Sequence, residues 1–457
     1  MESPDNDKNE KMVRSEENDR EDEYLPSRRS LSLSEPTIEN IEKLQNIRTM
    51  SWRDRLFRKV STGSLRGVVL MWIRMTLGIG LLTLPFYLKQ YGAFTGIIVI
   101  IICALVNLQS YYYIFEAVFY SGKKNYPDLI KSVLGNGILT VFRFTFLIDI
   151  ASAIMIYSVV SWNLLEYIIY FFKIGEEHWD EWFINKDTLE FNENNGAIFL
   201  IRCVFFYSMF LLTIPLFMKK NLDALQKVTI GYLVSLFVLV LILLIEMPFF
   251  SRAYKDEDIE FHWFKPISYN WIECFFGLCI AFYVQPFIFS LRGELLLPSL
   301  KRTKKISTIS VSLEATIFVV LGFIGYWSLG DLYTPNLFIL RKPYPGKSQI
   351  SELIFQLSIC FFFLLNTLGL AMFNPGLRDY LYSFSTCKNT WFKYMAISLA
   401  PFLLICTLSF AYPYVIRITN FFGFTINNFN GYIIPILMKI QIIKAKKQSK
   451  MHLALCY

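Results

Sequence analysis

The sequence predicts an all-α integral membrane protein with about ten transmembrane helices, arranged as two inverted five-helix repeats in which helices 1 and 6 are broken. Composition is the first observation: 54% of the 457 residues are hydrophobic and 18% are charged, whereas soluble domains carry about 25% charged residues. The second is a series of apolar runs long enough to cross a bilayer. The third is that glycine and proline interrupt two of these runs at corresponding positions.

The segment before the first apolar run changes its charge along the chain. Residues 1–45 are acidic and lack an apolar period, so we expect a disordered cytoplasmic tail. Residues 46–66 are basic, and they are expected to lie on the anionic cytoplasmic face of the membrane. No signal peptide is expected, because the first apolar run begins only at Gly67.

The apolar runs that follow are the predicted transmembrane helices. They lie at about 67–89, 93–119, 138–172, 197–218, 228–250, 270–291, 308–330, 350–374, 394–413 and 417–440. The third run is too long for one straight span, so we expect that helix to bend or to project from the bilayer. The predicted repeats are residues 67–250 and 251–440, and a basic cytoplasmic tail at 441–457 follows them.

Loop charges predict the orientation. With the N-terminus inside, lysine and arginine collect in the inside loops, while the outside loop from Lys173 to Gly196 holds seven acidic and two basic residues. Cytoplasmic loops of membrane proteins are enriched in basic residues, so both termini should be cytoplasmic. The plasma membrane and the vacuolar or lysosomal membrane both stay open as locations.

Two of the runs contain helix-breaking residues. Gly78, Gly80 and Pro85 interrupt the first run, and Gly277 and Pro286 interrupt the sixth. Glycine costs about 1 kcal/mol and proline about 3 kcal/mol inside a helix, and in lipid the freed backbone groups need other partners. Broken helices at matching places in two halves indicate a transporter binding site. The competing interpretation is two ordinary proline kinks.

The motifs at these breaks resemble those of one family. The stretch Gly78–Pro85 reads GIGLLTLP and resembles the first-helix signature of the amino acid/auxin permease family, which belongs to the five-plus-five inverted-repeat superfamily of amino acid transporters. Residues 276–285 resemble the sixth helix of that family and residues 322–330 the seventh. The matches run in order over about 67–440. The resemblance implies secondary active transport of amino acids by alternating access.

Two features depart from the family. An eleventh helix is usual there, whereas here only a basic tail follows Met438. The middle of the sixth run, from Tyr283 to Pro286, is bulkier than the break that is typical of relatives. Basic, neutral and aromatic amino acids therefore all stay open as substrates.

The resemblance and the chemistry of a broken helix place the substrate at the two breaks. Unsatisfied N–H groups at the start of the outer half of helix 1 favour a carboxylate, and carbonyls freed in helix 6 are expected to accept the ammonium. For Thr76 and Gln285, packing or interhelical hydrogen bonding is the alternative role. The predicted substrate-binding residues are Thr76, Gly78, Ile79, Gly80, Leu81, Leu82, Phe282, Tyr283 and Gln285.

A second predicted set is an ion-coupling or charge network of Arg74, Asp149, Asn366 and Thr367. In related folds a sodium ion binds between the first break and the eighth helix, and the resemblance makes Asn366 and Thr367 the candidate oxygen ligands there. Arg74 is a fixed cation near that place, and it disfavours a second one. Proton coupling or exchange is therefore predicted. The alternative is that Arg74 is structural and faces a carboxylate such as Asp149.

Charged residues within the runs are costly in lipid and are functional candidates. For Asp149, function and structural pairing with Arg143 or Arg202 are equal alternatives. Three glutamates are expected near the ends of their spans, where a side chain reaches the polar surface: Glu246, Glu273 and Glu314.

Several functions are excluded or left as alternatives. The scattered cysteines and histidines give no metal-ligand spacing, so no metal or other cofactor is expected. The sequence shows no nucleophile–base set and no complete phosphate loop, so neither an enzyme nor an ATP-driven pump is predicted. The expected partners are an amino acid, the lipid bilayer and a coupled proton. No nucleic acid partner is expected. The alternative function is an amino acid sensor, a transporter-like receptor that signals through its N-terminal tail.

Overall fold

A computed structural model of the chain describes residues 64–171 except 78–79 and 124, residues 223–250, 259–332 except 294 and 296–297, 349–370, 391–411 and 421–455, with isolated positions within 184–191, 203–214 and 377–381. The predicted acidic tail at 1–45 and the basic segment up to residue 63 lie outside the described residues, as does most of the fourth run.

The described part of the chain is helical, and each half begins with an interrupted helix. The first half contains α1 Leu65–Thr76, α2 Gly80–Tyr91, α3 Ala93–Ser121, α4 Tyr126–Leu134, α5 Asn136–Phe171 and α6 Asp223–Phe250. The second contains α7 Asn270–Ala281, a 3-10 turn Gln285–Phe287, α8 Ile288–Gly293, α9 Leu300–Leu329, a 3-10 turn Gly330–Leu332, α10 Gln349–Gly369, α11 Trp391–Ala411, π-helical turns Gly423–Asn427 and Phe429–Ile433, and α12 Ile434–Leu455. Two short strands, Ile184–Asn185 and Glu190–Phe191, pair antiparallel in the predicted outside loop.

Apolar length identifies candidate membrane spans among the described helices. Ala93–Ser121, Asn136–Ser161 and Leu300–Leu332 are long and apolar enough to cross a membrane, and they match the second, third and seventh runs. Shorter apolar helices match the fifth, sixth, eighth and ninth runs. The 36 residues of α5 extend for about 54 Å at 1.5 Å per residue, which confirms that the third run exceeds one bilayer thickness. The total of ten helices and the inverted repeat stay predictions.

The first run is interrupted as predicted. Ser64 caps the start of α1, because its side chain accepts a hydrogen bond from the Gly67 N–H. The helix ends at Thr76, residues 78–79 lie outside the described part, and α2 begins at Gly80. The described part of the first run therefore consists of two helices, α1 and α2.

The sixth run is also interrupted, but Gly277 is not the cause. Gly277 is buried inside the continuous helix α7, so its prediction as a break was wrong. The break is at Phe282–Val284, because Pro286 has no N–H to bond back to the Phe282 carbonyl. The Tyr111 hydroxyl instead donates to that carbonyl and accepts from the Val284 N–H at 3.2 Å. A side chain of α3 thus replaces the missing backbone bond.

Helix α9 is central to the bundle, since it packs against α1, α2, α3 and α6. Helix α5 packs against α10 and α11. Large apolar side chains on the outward faces are exposed, including Leu105, Phe237 and Phe361. A lipid environment stabilises such a surface, whereas water does not.

An extended segment, residues 259–265, crosses one end of the bundle, and we call it the strap. Its backbone carbonyl at His262 accepts from the Ala93 N–H at 3.0 Å, and its Lys265 N–H donates to the Tyr91 carbonyl at 3.2 Å. At its other end the Glu260 carbonyl accepts from the Asp331 N–H at 2.9 Å. The strap therefore joins the α2–α3 corner to the end of α9.

At the other end of the bundle, ion pairs join α3 to α9 and to α12. Glu116 on α3 accepts a hydrogen bond from Lys304 on α9 at 2.7 Å and another from Lys439 on α12. α12 continues through most of the predicted basic tail and ends at Leu455. This end is thus held by ion pairs to one carboxylate, whereas the strap end is held by backbone hydrogen bonds and by the Lys265–Asp331 ion pair.

Candidate functional site

A cavity of about 80 Å³ lies between the two broken helices. That volume holds several water molecules. Thr76, Thr83 and Tyr87 line it from the first broken helix, and Tyr283 and Phe287 line it from the sixth. The rest of the wall comes from α5, through Asp149, Ser152, Ala153 and Tyr157, and from Asn427. Of the predicted site residues the cavity therefore brings together Thr76, Asp149 and Tyr283.

Asp149 is a buried carboxylate at the wall of this cavity. The Tyr283 hydroxyl donates to its Oδ2 at 2.5 Å, and the Asn430 amide donates to the same oxygen at 3.4 Å. The alternative that Asp149 pairs with Arg143 was wrong. Arg143 lies six residues before Asp149, on another face of α5, and its side chain is exposed. Arg202 lies outside the described residues. Asp149 thus links α5 to the break in the sixth helix.

Thr76, the last residue of α1, contacts a glutamate that was expected elsewhere. Its hydroxyl is 2.5 Å from Glu314 Oε1, and Glu314 is fully buried. The predicted end position of Glu314 was wrong, because α9 begins at Leu300 and not near residue 308. The basic residues of the predicted loop form the first turns of that helix. Of the other two glutamates, Glu273 is exposed in the first turn of α7, whereas Glu246 is buried near the end of α6.

Tyrosine hydroxyls cap the carbonyls at the end of α1. Tyr157 donates to the Met75 carbonyl at 3.3 Å, and Tyr232 donates to the Leu77 carbonyl at 3.2 Å. Arg74 is buried beside them, with its guanidinium carbon 5.2 Å from the centroid of the Tyr232 ring. This region therefore already contains hydrogen-bond donors and a cation.

Asn366 and Thr367 on α10 are buried, but they do not line the cavity. The Asn366 amide donates to Ser161 Oγ at 2.8 Å, and the Thr367 hydroxyl donates to the Phe363 carbonyl at 2.9 Å. Asn366 Oδ1 is buried without a partner among the described residues. Thr367 Oγ1 also lies 3.4 Å from Ser161 Oγ, so both side chains contact α5.

Gln285 and Phe282 hold the break in the sixth helix and do not face the cavity. The Gln285 amide is fully buried, 3.3 Å from Asn107 Oδ1 and 3.4 Å from Ser110 Oγ. This is the interhelical bonding that was the alternative for Gln285. The Phe282 carbonyl, expected to accept an ammonium, is already bonded by Tyr111.

The remaining predicted substrate-binding residues lie at the start of α2. Gly80, Leu81 and Leu82 form its first turn, whereas Gly78 and Ile79 lie outside the described residues. A helix N-terminus carries unsatisfied N–H groups and partial positive charge. One residue further on, Thr83 is buried and lines the cavity.

Several lining residues were missed from the sequence, although their spacing carries a signal. Thr83 and Tyr87 are four residues apart, so they share one face of α2. On α5 the small side chains of Ser152 and Ala153 follow Asp149 at three and four residues. A stripe of small and polar residues around a buried carboxylate therefore indicates the face that lines the cavity.

One group at the strap has the composition of a metal site. Ligand atoms of Glu260, His262 and Asp331 lie within 4.8 Å of one another. Lys265 Nζ, however, lies 2.6 Å from Asp331 Oδ2 and already neutralises that carboxylate. Asp331 lies far along the chain from Glu260 and His262, and only the strap brings the three side chains together. The spacing of residues in the sequence therefore did not indicate this group.

Comparisons with known proteins identify the family of the chain. Residues 61–456 match the family described as transmembrane amino acid transporter protein. AAT1 of Plasmodium falciparum, a provisionally named amino acid transporter, is 24% identical over 78% of this chain and 55% of its own length. Vacuolar amino acid transporter 6 of Saccharomyces cerevisiae is 23% identical over 65% of this chain and 62% of its own.

Other matches cover smaller shares or are more distant. Solute carrier family 38 member 10 of Mus musculus is 23% identical over 62% of this chain and 24% of its own. A solved Na⁺-coupled sialic acid symporter is 12% identical, covers 89% of this chain and 87% of its own, and has a TM-score of 0.46. The chain spans about half the length of the two Plasmodium relatives, 55% and 48%. Since the family match extends over nearly all of the chain outside the N-terminal tail, the protein belongs to the family of transmembrane amino acid transporter proteins.

Proposed function

We propose that the chain is a secondary active transporter that moves amino acids by alternating access, driven by a proton gradient or by exchange. The observation that carries this proposal is a cavity bounded by both interrupted helices, with an acidic side chain, Asp149, in its largely apolar wall. A site between half-helices opens to one side of the membrane or to the other when a half-helix moves. Continuous helices do not provide this freedom.

The two charged groups of an amino acid have suitable partners on α2 and on α5. The first N–H groups of α2, at Gly80, Leu81 and Leu82, attract the carboxylate. Asp149 lines the cavity and supplies negative charge for the ammonium, with Tyr283 holding its orientation. This assignment moves the ammonium from the Phe282 carbonyl, which Tyr111 occupies, to a side chain of α5.

The surroundings of α1 support a proton or exchange mechanism over sodium coupling. Tyr157 and Tyr232 donate to the carbonyls of Met75 and Leu77 at the end of α1, and carbonyls at such half-helix ends are the usual backbone ligands of a coupled sodium ion. Arg74 adds a fixed positive charge at the same place. Two unit charges 4 Å apart repel by about 4 kcal/mol at an effective dielectric of 20.

Orientation and location complete the proposal. The distribution of lysine and arginine supports cytoplasmic termini. The yeast relative is named for the vacuole, so a vacuolar or lysosomal membrane and the plasma membrane are both proposed locations.

Uptake by proteoliposomes tests the function. We expect a ¹⁴C-labelled mixture of the common amino acids to enter vesicles that contain the protein when an inward pH gradient or internal unlabelled amino acids are supplied. Replacing sodium by choline at constant pH should leave this uptake unchanged, and a collapse of uptake would overturn the ion assignment. Binding of the label without any flux would contradict transport and favour the sensor.

A further inference from the structure

A carboxylic acid lies in the middle of α9, and the mechanism above does not use it. Glu314 is near the centre of the 30-residue helix, and its side chain is fully buried inside the protein. α1, α2, α3 and α6 surround that helix. Ionisable groups at such depth are expensive in free energy and mark ion or proton pathways.

Only one of its carboxyl oxygens has a partner among the described residues. Oε1 of Glu314 shares a 2.5 Å hydrogen bond with the Thr76 hydroxyl, whereas Oε2 is buried and has none. One helical turn earlier on the same two helices, Ser310 Oγ and Trp72 Nε1 are also buried without a partner in the described part. Buried polar groups are normally satisfied, so each exception calls for an explanation.

The side chains that face Glu314 offer it no positive charge. Tyr111 on α3 is the titratable group near enough to interact with it. Arg74 on α1 lies over the ring of Tyr232 on α6, and Lys89 on α2 lies towards the strap end of α9. No described lysine or arginine forms an ion pair with Glu314. Since an unpaired buried carboxylate costs several kcal/mol, the carboxyl is neutral and holds a proton in this conformation.

Thr76 connects this proton to the cavity. Thr76 lines the cavity, and it is the last residue of α1 before the break. Its hydroxyl also lies 3.1 Å from the Ile73 carbonyl, to which it can donate. With a neutral Glu314 the carboxyl donates to Thr76, and Thr76 donates to Ile73. With a charged Glu314 the single Thr76 proton turns to the carboxylate, so the last turn of α1 loses that bond.

We propose that Glu314 is the group that binds the coupled proton, and that Thr76 links its protonation to the position of α1. This inference rests on the proposed transport function. While α1 lies against α9, Glu314 is enclosed and neutral. When α1 moves away, water reaches the carboxyl, its O–H bond breaks, and the proton passes to water and leaves a carboxylate. Exchange of one amino acid for another completes its cycle without this step.

The substitution Glu314→Gln tests the proposal, because the amide mimics the neutral carboxyl and cannot release a proton. In proteoliposomes loaded with a trapped pH dye, the variant should lose all stimulation of ¹⁴C-labelled amino acid uptake by the pH gradient. The substrate-dependent dye signal should vanish with it. Exchange against internal unlabelled amino acids should stay within about twofold of the unsubstituted protein.

The matched control is Glu246→Gln, which removes another buried glutamate, on α6. It should keep both the gradient stimulation and the dye signal. Stimulation that survives in Glu314→Gln overturns the assignment of Glu314 while transport itself stands. Loss of exchange in Glu314→Gln overturns it as well, because a neutral mimic is expected to exchange. An unsubstituted protein without flux refutes the proposed function instead.

A second variant decides the matter if Glu314→Gln does not reach the membrane in folded form. Glu314→Asp keeps the titratable group but withdraws it by one methylene from Thr76. We expect gradient-driven uptake to persist with a shifted pH profile, since the contact with Thr76 is lost. An unchanged pH profile would contradict the proposal, because a group that does not bind the proton has no reason to set that profile.

Discussion

A single tyrosine side chain contacts both broken helices. The Tyr111 hydroxyl joins the Phe282 carbonyl and the Val284 N–H across the break in the sixth helix. Its ring packs edge-on against Trp72 of α1, with centroids 4.8 Å apart. The break in one helix is therefore held by a side chain that also contacts the other.

Tyr111→Phe should destabilise the protein, because the ring stays but the Phe282 carbonyl is left buried without its partner. A buried unsatisfied polar group costs about 1–3 kcal/mol. Thermal unfolding in detergent should show a lower midpoint, and amino acid uptake should fall. Tyr113→Phe, two residues along α3 at a ring that lies beside Lys439, is the control and should leave the midpoint nearly unchanged. Equal midpoints for both variants would refute the role of Tyr111.

At the scale of elements, the strap depends on one glycine at the end of α9. Gly330 has a φ of +51°, a conformation that favours glycine. A Cβ atom there would also lie 2.9 Å from the Glu260 carbonyl carbon of the strap. The strap can thus approach α9 only because this position has no side chain.

Gly330→Ala should therefore detach the strap from α9. We expect faster hydrogen exchange at the Asp331 amide, which bonds to the strap, and a lower thermal midpoint. The control is Gly122→Ala, since Gly122 has a φ of +68° with no atom within 4 Å of the added Cβ. This control variant introduces the backbone strain of a positive φ without a steric clash between the added Cβ and the strap. If both variants exchange alike at Asp331, the contact with the strap is not what Gly330 provides.

The elements also show what the sequence can and cannot predict. Pro286 predicted a break because a missing N–H is a local property. Glu314 was placed near an end because Lys301 and Arg302 resemble a loop, whereas they begin the helix. The bond between Asp149 and Tyr283 joins residues 134 positions apart, and no local pattern encodes such a pairing. Local chemistry is thus readable from sequence, and packing partners are not.

For the whole molecule, the two ends of the bundle differ in chemistry. The strap end is joined by backbone hydrogen bonds and by the Lys265–Asp331 ion pair, and the opposite end is joined by Glu116 with Lys304 and Lys439. Basic residues are enriched on the cytoplasmic side of membrane proteins. We therefore expect the lysine end to face the cytoplasm and the strap end to face the other side.

Cysteine labelling checks this orientation. Ile267→Cys, next to the strap and 85% exposed, should react with a membrane-impermeant maleimide added from the non-cytoplasmic side of sealed vesicles. Lys301→Cys, which is exposed at the start of α9, should react only after the vesicles are opened. The unsubstituted protein measures the background of the native cysteines. The reverse pattern would invert the proposed topology.

The hydrogen-bond partners of Asp149 are synthesised long after Asp149 itself. Tyr283 and Asn430 follow Asp149 in the chain by 134 and 281 residues. At about 5–20 residues per second, the ribosome delivers the first partner roughly 7–27 s later and the second roughly 14–56 s later. During that interval α5 must enter the membrane with its carboxyl group unpaired. The first half of the chain therefore cannot complete its own interior before the second half has been synthesised.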